Sequence, residues 1–170
     1  MRNFSLTLCL LMLFGAAQAA GVPLRSLLTG SGGQVKAGAN SFVVVKRTSD
    51  LKRFELGVIV ANASNERVLD LILAVKRLNL TPTELDLLKG NAAYAATRCF
   101  GMETAQLPAF NAWVTQQNAA SGSGRVKATF GKLKAEFVRQ DKPGAPYTTV
   151  ELYRDADRPG VGPWLNYCTR

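Results

Sequence analysis

The stretch SNERVLDLILAVKRLNL, residues 64–80, decides how the chain divides between helix and sheet. It is apolar round most of its circumference if wound as a helix. Val68, Leu71, Ile72 and Val75 then fall on one stripe at i, i+3, i+4 and i+7, and Ser64 can serve as N-cap. The spacing therefore predicts a helix from Ser64 to Leu80. On this reading the sequence changes period here, from strands before it to helices after it.

The signals that follow reinforce a helical block. TPTE, residues 81–84, places Thr81 as N-cap, Pro82 at the first helical position and Glu84 reaching back, which is a capping box. The helix it starts carries Leu85 and Leu88 and meets Gly90-Asn91, which can end one helix and cap the next over Ala92 to Cys99. A third segment has Pro108 in its first turn and turns Phe110, Trp113 and Val114 inward. ASGSG, residues 120–124, closes the block.

Strands flank the block on both sides. SFVVVKR (residues 41–47) and FELGVIVA (residues 54–61) are dense in Val, Ile and Phe, with a connection of hairpin length between them. Apolar neighbours on both sides of the pleat mark them as central strands. Gly57 suggests a bulge or a close backbone approach.

RVKATFGKLKAEFVRQ, residues 125–140, alternates but changes phase at Gly131. A two-residue turn at Gly131-Lys132 repairs the phase: Phe130 meets Leu133, Ala128 meets Ala135 and Val126 meets Phe137 on one face, with Lys127 opposite Glu136 on the other. One long strand bulged at Gly131 is the competing reading. DKPGAP makes a further turn, YTTVELYR a further strand, and RPGVGPWLNYCTR reads as irregular. The expected fold class is α+β: an antiparallel sheet of about five strands with two to four helices on one face, in the order β-β-α-α-α-β-β-β.

The first forty residues carry a different message. Arg2 followed by an apolar run from Leu6 to Phe14 and the small residues AAQAA reads as a secretory signal cleaved after Ala19 or Ala20, so residues 1–20 are assigned to a signal peptide. An uncleaved anchor helix is the alternative. Residues 21–40 read as a flexible glycine-rich lead-in, without the lysine and hydroxyl that complete a phosphate loop. Residues 41–170 then form a single domain, and the expected location is the periplasm, cell envelope or extracellular space.

Charge and missing residue types narrow the chemistry. The chain has 21 Lys plus Arg, 12 Asp plus Glu and no histidine. Loss of Arg2 leaves a net charge of about +8, which suits anionic partners such as an acidic protein, a glycan or an anionic surface, or simply solubility. Without histidine there is no Ser-His-Asp or Cys-His arrangement and no usual zinc site, so neither metal nor cofactor is expected. Carboxylate or Ser-Lys chemistry remains open.

Two cysteines survive cleavage, Cys99 and Cys168. In an oxidising compartment an even count pairs, and a bridge between them closes a loop of about 70 residues, worth roughly 4 kcal/mol in the chain-entropy model. Free or intermolecularly bonded thiols are the alternative. A redox pair lacks the Cys-X-X-Cys proximity such sites use.

The candidate binding surface is a basic hairpin: Arg125, Lys127, Lys132, Lys134, Arg139 and Lys142 against only Glu136 and Asp141. It could meet an anionic partner, although exposed lysines also keep sheets from adding edge to edge. Its aromatics point inward, so there is no specific nucleic-acid signal. ELYRDAD, residues 151–157, gathers carboxylates without calcium-loop spacing and reads as a solvated turn. The leading expectation is an exported, non-catalytic binding or scaffolding protein. A histidine-independent enzyme and a carrier with an apolar cavity between sheet and helices are the rivals. An enzyme requires a pocket holding a perturbed carboxylate.

Overall fold

The deciding stretch is a strand. In the computed structural model, which describes residues 21–30 and 33–170, Arg67–Val75 forms β5. It is hydrogen-bonded to a neighbour on each side, β4 (Arg53–Ser64) and β8 (Tyr147–Tyr153). Leu71, Leu73 and Val75 are buried at a period of two, and Ile72 turns to the other face. The apolar residues that mimic a helical stripe are those of a strand with both faces partly covered, where periodicity alone does not separate the two states. Ser64 caps nothing: it ends β4, and Asn65-Glu66 form a tight turn with both residues at positive φ, 49° and 64°. That is type I′ hairpin geometry, which asparagine tolerates better than most residues.

The expected fold is corrected accordingly. Among the described residues the sheet has nine strands and there are three α-helices, a mostly antiparallel sheet rather than about five strands with a block of two to four helices on one face. Residues 21–40, expected as a flexible lead-in, contribute β1 (Gly21–Pro23), α1 (Leu24–Thr29) and β2 (Gln34–Ala37). Leu24, Leu27 and Leu28 of α1 are buried in the core. The tail read as irregular supplies β9 (Tyr167–Thr169), which pairs in parallel with β1 and touches β5 at Arg67. The expected signal peptide lies outside the described residues.

Two antiparallel meanders make the sheet. The first runs β2, β3 (Ser41–Arg47), β4, β5; the second, β6 (Gly124–Phe130), β7 (Leu133–Gln140), β8, folds back so that the order across the sheet is β2-β3-β4-β5-β8-β7-β6. The β6–β7 register pairs Phe130 with Leu133, Ala128 with Ala135, Val126 with Phe137 and Lys127 with Glu136, as the phase repair requires. Gly131 takes φ 63°, as the first residue of a type II′ turn needs. No register shift occurs at Gly57. The irregularity lies further along, where Ala61 of β4 and Leu69 of β5 have no register partner and Val68 returns to the buried face.

α2 spans Pro82–Arg98 and starts with the complete capping box: Thr81 accepts from the Glu84 amide, and Glu84 accepts from the Thr81 amide at 2.9 Å. Burial works to raise the Glu84 pKa, but the bonds from Thr81 and Arg77 outweigh it and hold the carboxyl below its usual range. Gly90-Asn91 does not break the helix. The Asn91 side chain is buried and its Nδ2 donates to the Leu87 carbonyl one turn back, 2.8 Å, rather than capping a new helix, while its Oδ1 is left without a partner. Leu88, Ala92, Ala95, Ala96 and Cys99 form the buried stripe, and its small residues let the helix lie close on β4, β5 and β8. A 3₁₀ turn, Thr104–Gln106, leads into α3, Leu107–Ala119, which buries Phe110 and Val114 and sets Trp113 against Phe130 and Phe137.

Candidate functional site

The register assigns the strand termini to two opposite ends of the sheet. At one end β3 finishes in Lys46-Arg47, β4 opens after Lys52 with Arg53, and β5 runs out into Lys76-Arg77. β7 leaves at the same end through Arg139 towards Lys142, and β6 enters beside Arg125. Nine cations are thus brought to one rim from segments as far apart as residues 46 and 142. Four carboxylates share it: Asp50, Glu55, Glu84 and Asp141. Lys52 pairs with Asp50 at 2.8 Å, Arg53 with Glu55 and Arg77 with Glu84 at 3.0 Å. Arg47, Lys76 and Lys142 are exposed and have no ion-pair partner among the described residues. The hydrogen bonds of Lys52 and Thr48 hold the Asp50 carboxyl below its ordinary pKa, so this end keeps its charges at neutral pH.

The predicted basic hairpin is divided by the same geometry. Arg125 and Lys127 sit on the sheet face that no described helix covers, but both neutralise the buried carboxylate of Glu136, at 2.7 and 3.3 Å. Lys134 pairs with Asp155, whose hydrogen bond raises the lysine pKa. Arg139 is buried on the helix side and donates to Asn79 at 3.1 Å. Lys132 lies in the turn at the opposite end, and only Lys142 is both exposed and unpaired at the basic rim.

The uncovered face also brings together three carboxylates. Glu151 stands opposite both Glu136 and Ile72, and Asp70 occupies the next row beside Tyr153. Burial, then the charge of Glu151 and a hydrogen bond with it, then Glu136, raise the Asp70 pKa from 3.8 to about 7. Among the described residues no group of three or more His, Cys, Asp or Glu is disposed to hold a metal ion. Four cavities around the core are lined by residues other than Asp70, Glu136 and Glu151, so the perturbed carboxyl lies apart from these hollows.

Cys99 and Cys168 form a disulfide-compatible pair with Cα atoms 4.7 Å apart, both fully buried. They lie where the end of α2 meets the tail. Trp164 is buried beside them, donates its indole N–H to the Cys99 carbonyl at 2.7 Å and stacks on Phe100. Arg154, from the segment read as a solvated turn, is instead buried: it pairs with Asp157, donates to the Phe100 carbonyl at 3.0 Å and lies over the Trp164 ring. Beside this junction a cavity of about 460 Å³ opens on the outward side of α2. Ala93, Met102 and Leu107 form its floor, and Tyr94, Thr97, Arg98, Thr104 and Asn166 its polar wall. AYAATRCFG, residues 93–101, carries its signal in the residues four apart opposite the alanine stripe, Tyr94 and Arg98, as well as in the cysteine.

The interior between sheet and helices is one cluster of buried side chains, and the cavities lie around it. No described helix is long and apolar enough to cross a membrane. No protein-family model matches the chain, and neither a curated protein nor a solved structure is detectably similar to it.

Proposed function

We propose that this is an exported, non-catalytic binding or scaffolding module that meets an anionic surface through the basic rim of its sheet. The observation that carries the proposal is the gathering of Lys46-Arg47, Arg53, Lys76-Arg77 and Lys142 at one end, with Arg47, Lys76 and Lys142 free of ion pairs. Export rests on the leader, residues 1–20, and agrees with a buried cysteine pair. A rigid rim of unpaired cations attracts phosphate or carboxylate groups at long range and releases them as salt rises.

The test is retention of the mature chain on vesicles containing phosphatidylglycerol and, separately, on immobilised heparin. Each lysine or arginine near an anionic membrane contributes about 1 kcal/mol. Reversing Arg47, Lys76 and Lys142 to Glu should therefore weaken salt-sensitive binding about a hundredfold or more. Reversing Lys127, Lys132 and Lys134 should change it far less. Equal loss from the two triple variants would return the surface to the hairpin. Retention unaffected by either would remove the anionic partner altogether. Vesicle binding without heparin binding assigns the rim to lipid headgroups, and the reverse assigns it to glycan.

A further inference from the structure

The cavity beside the cysteine pair is a second site with its own chemistry. Its volume of about 460 Å³ falls within the range of small-molecule pockets. Tyr94 and Arg98 are one helical turn apart on α2, on the side away from the alanine stripe that packs on the sheet. Tyr94 is 48% exposed, whereas Phe100 and Phe110 are fully buried and Trp113 is partly covered against Phe130 and Phe137. Arg98 is exposed and has no ion-pair partner among the described residues, whereas Arg154 across the same junction is fully paired. A free guanidinium and an open ring stand over an apolar floor of Met102 and Leu107.

We propose that this groove binds a small monoanionic amphiphile: a carboxylate on a flat or short-chain apolar body. Arg98 would take the carboxylate through its two-pronged donor edge, with the Asn166 amide as a further donor. The apolar body would lie against Tyr94 and the floor. A single charge fits better than two, because the carbonyl end of α2 lies close by and its partial negative charge offsets part of the arginine's attraction. The wall is pre-set. Thr97 donates to the Ala93 carbonyl at 2.9 Å, and the segment bearing Asn166 is held two residues on at Cys168, against Cys99, the neighbour of Arg98. Binding to a preformed site avoids the cost of ordering it. The lining contains no carboxylate, lysine or free thiol, so the site binds its guest and does not transform it.

This site is separate from the strand-end rim, and its failure would leave that reading untouched. The experiment is an amide-resolved NMR titration of the mature, oxidised chain with 2-naphthoate and with its neutral counterpart 2-naphthylmethanol. Saturable shifts are expected around Tyr94, Thr97, Arg98 and Asn166, with the acid bound at least about tenfold more tightly than the alcohol. Arg98→Gln, at an exposed position, should erase that difference. Three results would overturn the proposal: no saturable shift through the millimolar range, equal affinity for acid and alcohol on the unaltered chain, or shifts centred on Arg47, Lys76 and Lys142. The acid–alcohol comparison needs no variant, so it stands even if a substitution unfolds the chain.

Discussion

The two ends of the sheet differ in what their paired cations do for the fold. At the end where α2 finishes, three arginines tie down the tail: Arg154 is buried against Asp157 and Trp164, Arg67 donates to the Pro159 carbonyl and lies over Tyr167, and Arg170 pairs with Glu66 at 2.9 Å, while Arg98, Lys132 and Arg158 stay exposed without an ion pair among the described residues. At the end where α2 begins, Arg47, Lys76 and Lys142 extend into solvent unpaired. A paired, buried arginine is expensive to disturb and holds a tail in place. Exposed lysines contribute little to stability and remain available to a partner. The same residue types therefore read as structure where they are buried or paired and as surface where they are not.

This contrast breaks most severely at the cysteine pair. The Cys99→Ser, Cys168→Ser double variant removes a cross-link across a sequence separation of 69, which the chain-entropy model values at roughly 4 kcal/mol. Thermal unfolding should show a fall in Tm well beyond that of any single rim substitution. An unchanged Tm would mean that the tail is held by Trp164 and Arg154 alone.

The next effect lies on the seam between the meanders. Asp70 keeps its proton to about pH 7 in the folded chain and loses it near 3.8 when unfolded. Stability from this group is thus complete below about pH 4 and declines as pH rises to 7. Allowing for its half-exposed position, the loss is about 1–2 kcal/mol. Asp70→Asn should be more stable than the parent at pH 8 by that amount and indistinguishable from it near pH 4. Denaturant titration at the two pH values checks this, and a variant less stable at pH 8 refutes the raised Asp70 pKa.

The smallest effect sharpens the comparison at the basic end. Thr81→Ala removes half of the capping box and should cost about 1 kcal/mol, measured by denaturant unfolding. Binding at the rim should survive, because none of the exposed cations depends on that cap.

Legibility followed the distance over which each signal acts. TPTE declares its helix within four residues, and the phase change at Gly131 declares its turn and register within sixteen, so both were readable. Residues 64–80 were not, because Val68, Leu71, Ile72 and Val75 satisfy two periods at once. What separates them is non-local: β8, about 80 residues later, supplies the second neighbour that makes β5 central. The turn at Asn65-Glu66 lacked the glycine that usually announces a type I′ hairpin. The cysteine pairing followed from counting and compartment. The cationic rim could not be read, since each Lys-Arg pair is unremarkable until the strand directions bring three of them together. The hairpin cations had the opposite fate: dense in sequence, they are dispersed across a face, a turn, the basic rim and, for Arg139, the buried side of the sheet.

The junction of β5 with β8 also sets an order of assembly. The first meander and both longer helices are complete in sequence before Tyr147 is made, while the seam must wait for a closure spanning some 70 residues, an entropic step larger than any within either meander. During synthesis, a chain still short of Tyr147 holds a half-built sheet whose open margin, β5, is apolar on both faces. That margin is the kind of template on which one unfinished chain recruits another. The fold thus places its most aggregation-prone edge at the centre of the finished sheet, where the last strands to be translated conceal it.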